Sequence, residues 1–169
     1  MDVQTLLNAI AMTAGRLCNA TDALILRIEG DQLRMVAEHR ALQTTGALGE
    51  TFPIGRGIDR QMIHVYDLAE EHETEFPFGK ALQKHFGHRT VLATPLLREA
   101  VPIGAIVIGR TKVDPFSQKE IALLRTFADQ AVIAIENVRL FQELQSKNRH
   151  LTETLAQQTA TSEVLGVIS

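Results

Sequence analysis

The chain has a single cysteine, no tryptophan, no excess of either charge and no long apolar run. A lone Cys18 cannot close an internal disulfide or build a thiolate zinc site, so disulfide-stapled and zinc-finger classes are excluded. With seven Phe and one Tyr as the only aromatics, the core must be mostly aliphatic. Seventeen Lys and Arg against twenty Asp and Glu give a net charge of −3. So balanced a chain carries no basic footprint for nucleic acid or an anionic membrane surface. The longest nearly unbroken apolar stretch, Val101 to Ile108, falls far short of the ~20 residues that span a bilayer. The start, Met1-Asp2-Val3-Gln4, lacks the basic region of a signal peptide. The expected setting is cytoplasmic, with no nucleic acid and no direct membrane contact. What is present, 169 residues at 45% apolar and 22% charged, suits one core-forming domain with an appendage.

Periodicity supplies the elements. Leu6, Leu7, Ile10, Ala14 and Leu17 fall at three- and four-residue steps and predict an opening helix with one apolar stripe. Leu24, Leu26 and Ile28, then Leu33, Met35 and Ala37, alternate about Glu29-Gly30-Asp31 and predict a hairpin. Ala41 to Gly57 reads as loop, Ile63 to Val65 as a short strand reaching Leu68, and Lys80 to Phe86 as a helix stopped by Gly87. Val91 to Leu97 and Val101 to Ile108 predict a central antiparallel hairpin around Arg98-Glu99-Ala100, with Pro95 and Pro102 marking bulges or edge positions. Ser117 and Glu120 have capping-box spacing ahead of a last helix whose inner face is Ile121, Leu124, Ala128, Ala131 and Ile135. Beyond it Phe141, Leu144, Asn148, Leu151 and Leu155 change to heptad spacing. More than thirty helical residues extend roughly 50 Å, so this seam needs a partner. A lone Asn148 in the first core position favours a parallel homodimer, and Gln158 and Ser162 then interrupt the seam. The class is α+β, an antiparallel sheet with helices on one side.

Several runs together resemble bacterial GAF domains over about Leu6 to Leu144. They are Arg89-Thr90-Val91-Leu92-Ala93-Thr94-Pro95-Leu96-Leu97-Arg98-Glu99, its continuation Val101 to Ile108, Pro115-Phe116-Ser117, and Phe127 to Ala131 through Ile135-Glu136-Asn137. The resemblance implies about six antiparallel strands, with N- and C-terminal helices on one face and a pocket on the other. It divides the chain into a domain at 1–144 and a helical linker or coiled-coil signalling helix at 145–169. The segment Thr159 to Ser169 is similar to linkers that lead, in sensor kinases and cyclases, into another GAF domain or an output domain. The implied function is the regulatory sensor module of a bacterial signal-transduction protein, a two-component histidine kinase or a cyclase with tandem GAF domains. Its ligand- or partner-dependent signal would pass through dimeric terminal helices to a covalently linked output domain. The alternative is a ligand-free dimerisation and spacer module with a degenerate pocket.

By family position His64, Tyr66, Phe76, Phe78, Arg89 and Thr94 cluster at the pocket, for a small molecule not identified by the residues. No cofactor is assigned. The chain departs from the family where Gly57 to Ile63 leaves room for only about one helical turn, and where Ala100 replaces a turn glycine. It departs again where Gly109-Arg110 replaces the Asn-Lys pair of cyclic-nucleotide binders, of whose pattern Phe116 and Glu120 remain. That last change disfavours a cyclic nucleotide.

Other constellations are weaker. His64, His72, His85 and His88 with Asp67, Glu70, Glu71, Glu73 and Glu75 match no compact metal motif, and read as a solvated acidic loop with surface histidines. No metal is expected. Gly55-Arg56-Gly57 lacks phosphate-loop spacing and reads as a loop needing positive φ. Cys18, at a helix end, reads as a small core residue and not as a chromophore anchor. No catalytic triad, buried carboxylate pair or activated thiol is legible, so the chain is not expected to be an enzyme.

Overall fold

The computed structural model describes residues 2–40, 49, 51–53, 61–71, 83–84 and 87–168. They form two compact units, Met1–Ala134 and Ile135–Ser169. The first opens with helix α1 (Val3–Leu17) and strands β1 (Asp22–Glu29), β2 (Gln32–Arg40), β3 (Thr51–Pro53) and β4 (Ile63–Val65). A 3-10 turn at Leu68–Glu70 follows, then β5 (Thr90–Arg98), β6 (Val101–Arg110) and the start of helix α2 (Gln118–Ile168). The strands form one antiparallel sheet in the order β3-β2-β1-β6-β5-β4. The expected α+β class and the β5–β6 hairpin are both present. The second unit is the continuation of α2, and the boundary expected at 144 falls inside that helix.

α1 starts where the Asp2 side chain accepts from the Thr5 amide at 2.7 Å, an N-cap that satisfies one orphan donor. Its buried stripe is Leu7, Ile10, Ala11, Ala14 and Gly15, continued by Cys18. Leu6 and Leu17, expected inside, are 39% and 53% exposed. Beside Leu7 and Ile10 the inward face is completed by the small residues Ala11, Ala14 and Gly15. Gly15 lies where a Cβ would come within 3.1 Å of the His39 ring, so the helix sits close on β2.

β1 and β2 hold a correction of the same kind. Ile25 pairs with Ala37 but Leu26 pairs with Met35, leaving Val36 as the extra residue of a bulge. Met35 therefore joins the apolar layer of Leu24, Leu26, Leu33, Val91 and Val107. Ala37 falls in with Ile25 on the other face, although simple alternation had put it beside Met35. A second bulge leaves Ile103 unpaired, between Leu96 opposite Gly104 and Leu97 opposite Pro102. Pro102 sits at that bulge, and Pro95 lies beyond Ala93, where pairing with β4 ends. This is how two central strands tolerate residues without an N–H. Leu68, read as the possible end of β4, belongs to the 3-10 turn.

The β5–β6 turn is two residues long, not three, with Glu99 at φ 49° and Ala100 at φ 65°. Two positive φ values in a two-residue hairpin are the type I′ geometry, which favours Asn-Gly. Ala100→Gly is expected to raise stability by about 0.5–1 kcal/mol in thermal or urea unfolding, because it removes left-handed strain. An unchanged or lowered midpoint would show that the turn is not under that strain.

The capping box forms as its spacing predicts: the Ser117 amide donates to Glu120 Oε1 at 2.9 Å, and the Glu120 amide to Ser117 Oγ at 3.2 Å. Phe116 and Ile121, at the flanking hydrophobic-staple positions, are both buried. On α2 the buried face is Ile121, Leu124, Phe127, Ala128, Ala131 and Ala134. Ile135 is only half-buried. Gly87, at φ 70°, donates to Gln83 O at 2.9 Å as a helix stop would, while the rest of the helix expected at Lys80 to Phe86 lies largely outside the described residues. The expectations for Gly55-Arg56-Gly57 and for the turn after Gly57 also fall outside them.

Candidate functional site

Among the described residues β4 pairs only with β5, at the edge of the sheet, and it carries His64 with Tyr66 just beyond its end, two of the expected site residues. His64 and Tyr66 lie two apart in the chain and meet edge to face, ring centroids 4.8 Å apart. Tyr66 is 62% exposed. Asp67 follows and receives both arms of Arg89, Nε to Oδ1 at 2.7 Å and Nη2 to Oδ2 at 2.8 Å. A backbone bond from the Leu68 amide to Arg89 O at 2.6 Å fastens the same place. The Thr90 hydroxyl adds another, donating to Tyr66 O at 2.7 Å. His64, Val65, Tyr66, Asp67, Glu70 and Glu71 line an open cleft of about 450 Å³.

The structure thus gathers His64, Tyr66 and Arg89 around β4. Thr94 is elsewhere: it pairs with Ile106 inside the sheet, is 5% exposed, and its hydroxyl has no hydrogen-bond partner among the described residues. Phe76 and Phe78 lie outside the described residues, as do His72 and His85. His88, read as a surface residue, is fully buried. Its Nε2 is 2.6 Å from Asp22 Oδ2, and its ring lies over Gly109, where a Cβ would come within 2.8 Å of it. Asp22 and Gly109 face each other in the β1–β6 ladder, so the glycine provides the floor on which this buried pair rests.

The second cluster is built on Arg110, 8% exposed at the end of β6. Its Nε donates to Asn19 O at 3.1 Å, Nη1 to Asp114 O at 2.8 Å and Pro115 O at 3.3 Å, and Nη2 to Cys18 O at 2.9 Å and Glu120 Oε2 at 2.7 Å. The guanidinium carbon lies 4.0 Å from the Phe116 ring centroid. Burial alone would raise the Glu120 carboxyl, but the Ser117 bonds and the guanidinium outweigh it and hold the group below its ordinary value. Arg110, Phe116 and Glu120, the places compared with the cyclic-nucleotide pattern, form one structural clamp joining the end of α1 to the start of α2.

Cys18 is buried, its Sγ 3.6 Å from Glu120 O. Burial first, then the Glu120 charge, push its thiol up to about 11, so it is no nucleophile at neutral pH. Sequence reasoning missed the Asp22–His88 pair and the hub role of Arg110. The available signals were an aspartate directly before the apolar run Ala23–Leu26 and an arginine closing an otherwise apolar strand.

On α2 the seam residues Phe141, Leu144, Leu151 and Leu155 are 60, 57, 58 and 61% exposed. Asn148 is exposed as well. Among the described residues no helix is long and apolar enough to cross a membrane.

Comparison with known proteins places this architecture. The family model described as GAF domain matches residues 2–135. The GAF domain of PixJ from Thermosynechococcus elongatus, in its blue-light absorbing form, superposes with a TM-score of 0.72 at 12% identity, covering 88% of this chain and 93% of that one. A phycocyanobilin-bound GAF domain from a cyanobacterial phytochrome gives 0.68 at 16% identity, with 83% and 87% covered. The GAF domain of an Acinetobacter phosphoenolpyruvate-protein phosphotransferase gives 0.69 at 10% identity, with 83% and 86% covered. At such identities the likeness is one of fold. No curated protein matches the sequence. With most of its length matched by the family and its sheet and helices arranged as in these structures, the chain belongs to the GAF domain family.

Proposed function

We propose that this GAF domain is the regulatory sensor module of a bacterial signal-transduction protein of the sensor-kinase or cyclase type, with no catalytic role of its own. Two copies pair in parallel along α2, and a ligand- or partner-dependent change in the domain passes through the paired helices to a covalently linked output domain. The observation that carries this reading is the exposed heptad seam of Phe141, Leu144, Asn148, Leu151 and Leu155. Four large apolar side chains left in water cost about 1.5–3 kcal/mol each relative to full burial, which a second copy would recover. Asn148 at a first core position can bond to its own symmetry mate only when the helices run parallel and in register.

A second reading has its own observation. Arg89 is already held by Asp67, and His64 by the Phe116 amide, so side chains expected to meet a ligand instead meet other groups of the protein. That arrangement suits a ligand-free dimerisation and spacer module. A thermal-shift screen against nucleotides, amino acids, haem, bilins and metals separates the two, since a specific ligand stabilises by mass action. Light scattering tests the pairing common to both. The full chain is expected to be a dimer and the chain truncated after Glu136 a monomer. A full chain that stays monomeric at high micromolar concentration overturns the dimer.

A further inference from the structure

We propose that His64 couples the edge strand β4 to the root of α2, and that protonating its imidazole releases that root. The Phe116 amide donates to His64 Nε2 at 3.1 Å. Only an unprotonated Nε2 can accept, so the ring is neutral and its proton sits on Nδ1. Phe116 is the residue before the N-cap Ser117 and is 4% exposed, so this bond holds the chain where it enters the helix. The Phe116 ring meets both the imidazole, 5.9 Å away by centroids, and the Arg110 guanidinium, whose carbon lies 4.0 Å from its centroid. Arg110 in turn binds Glu120, whose other oxygen takes the Ser117 amide. One contact of His64 therefore reaches the helix cap, while its strand lines the cleft with Tyr66.

Burial and the Arg110 charge together favour the neutral imidazole. Arg110 faces it from β6, accompanied by its own partners Asp114, from the loop, and Glu120, from α2. Across the ladder β5 offers Leu92, which carries no charge. On the cleft side stand Tyr66, Asp67, Glu70 and Glu71, with Asp67 committed to Arg89. Burial, followed by the Arg110 charge, lowers the His64 pKa from its ordinary value. The folded domain thus binds this proton less readily than the unfolded chain. The hold on α2 is complete above about pH 6.5, the ordinary histidine value, and is lost as pH falls from there through the folded value. An imidazolium would lose the Phe116 bond and add a second positive charge within reach of Arg110.

This inference rests on reading α2 as the output helix, but its test is read inside Met1–Ala134. In the full ¹⁵N-labelled chain, amide-exchange protection at Phe116, Ser117, Glu120 and Ile121 is expected to fall severalfold as pH drops from 7.5 to below the titration of the His64 ring, followed by its own ¹⁵N shifts, while Leu24 and Leu26 stay protected. Imidazole ¹⁵N shifts at pH 7.5 should show the Nδ1–H tautomer. His64→Gln, which offers an oxygen that does not titrate, should keep the protection at both pH values. His64→Leu should lose it at both. An Nε2–H tautomer, a wild-type protection that ignores pH, or a leucine variant as protected as wild type would each overturn the proposal. The tautomer and the wild-type titration decide even where a variant fails to fold. Light scattering on the same samples reports the dimer separately: a monomer with His64-dependent protection sinks the dimer alone, and a dimer without it sinks only this coupling.

Discussion

Gly104→Ala is expected to cost about 3 kcal/mol or more, the upper end of what overpacking does, and to leave much of the chain unfolded at modest urea. A Cβ built there would sit 2.0 Å from Leu26 O and 3.2 Å from Arg27 Cα. Both obstacles are backbone, so no rotamer change relieves them. The only relief is to part β1 from β6 at Arg27 opposite Gly104, in the middle of the sheet, or to distort the adjoining bulge at Ile103. Gly30→Ala provides the comparison. Its φ of 64° strains any L side chain, but nothing lies within 4 Å of the added carbon. About 1 kcal/mol is expected from that strain alone. Equilibrium urea unfolding of the two variants tests the difference, and a Gly104→Ala domain as stable as Gly30→Ala would show that the strands separate more easily than this geometry allows.

Gly104 also shows why sequence reading resolves some features and not others. A glycine inside an apolar strand announces a close approach or a bulge, and here it serves both. The strands other than β3, the hairpins, the capping box at Ser117 and the long last helix were legible because each rests on local periodicity or local hydrogen bonding, whereas β3 (Thr51–Pro53) lies in the stretch from Ala41 to Gly57 that reads as loop. The bulge at Val36 was not, since alternation alone cannot show an inserted residue that moves Ala37 to the opposite face. Nor was the true stripe of α1. Leu6 and Leu17 are more apolar than Ala11 and Gly15, but the close approach to β2 selects small residues. In the site, His64, Tyr66 and Arg89 do gather at β4, while Thr94 turns into the sheet. Asp22 and His88 are 66 positions apart and meet only through the β1–β6–β5 topology, which no local pattern encodes.

Arg110→Met should lower stability by about 3–5 kcal/mol, the cost of leaving one partner of a buried ion pair behind. Methionine keeps much of the apolar stem, so packing against Phe116 survives while the donors vanish. Glu120, its side chain 15% exposed, then loses the guanidinium that offsets its burial, and the carbonyls of Cys18, Asn19, Asp114 and Pro115 lose their donor. Arg110→Lys should rescue little, because one ammonium cannot reproduce a planar fork that reaches α1, the loop and α2 together. Adding Glu120→Met to Arg110→Met should recover part of the loss, since replacing both charges removes the uncompensated carboxylate. The acid limb carries an independent signature. With its pKa held below the ordinary value, Glu120 adds stability above the unfolded carboxyl range that disappears as pH falls through the folded value. Without Arg110 that contribution should shrink, making the variant's stability less dependent on pH between about 5 and 3, the span around an ordinary glutamate. An Arg110→Met cost below about 1 kcal/mol, no more than an exposed ion pair is worth, would mean that α1 and α2 are joined by packing alone.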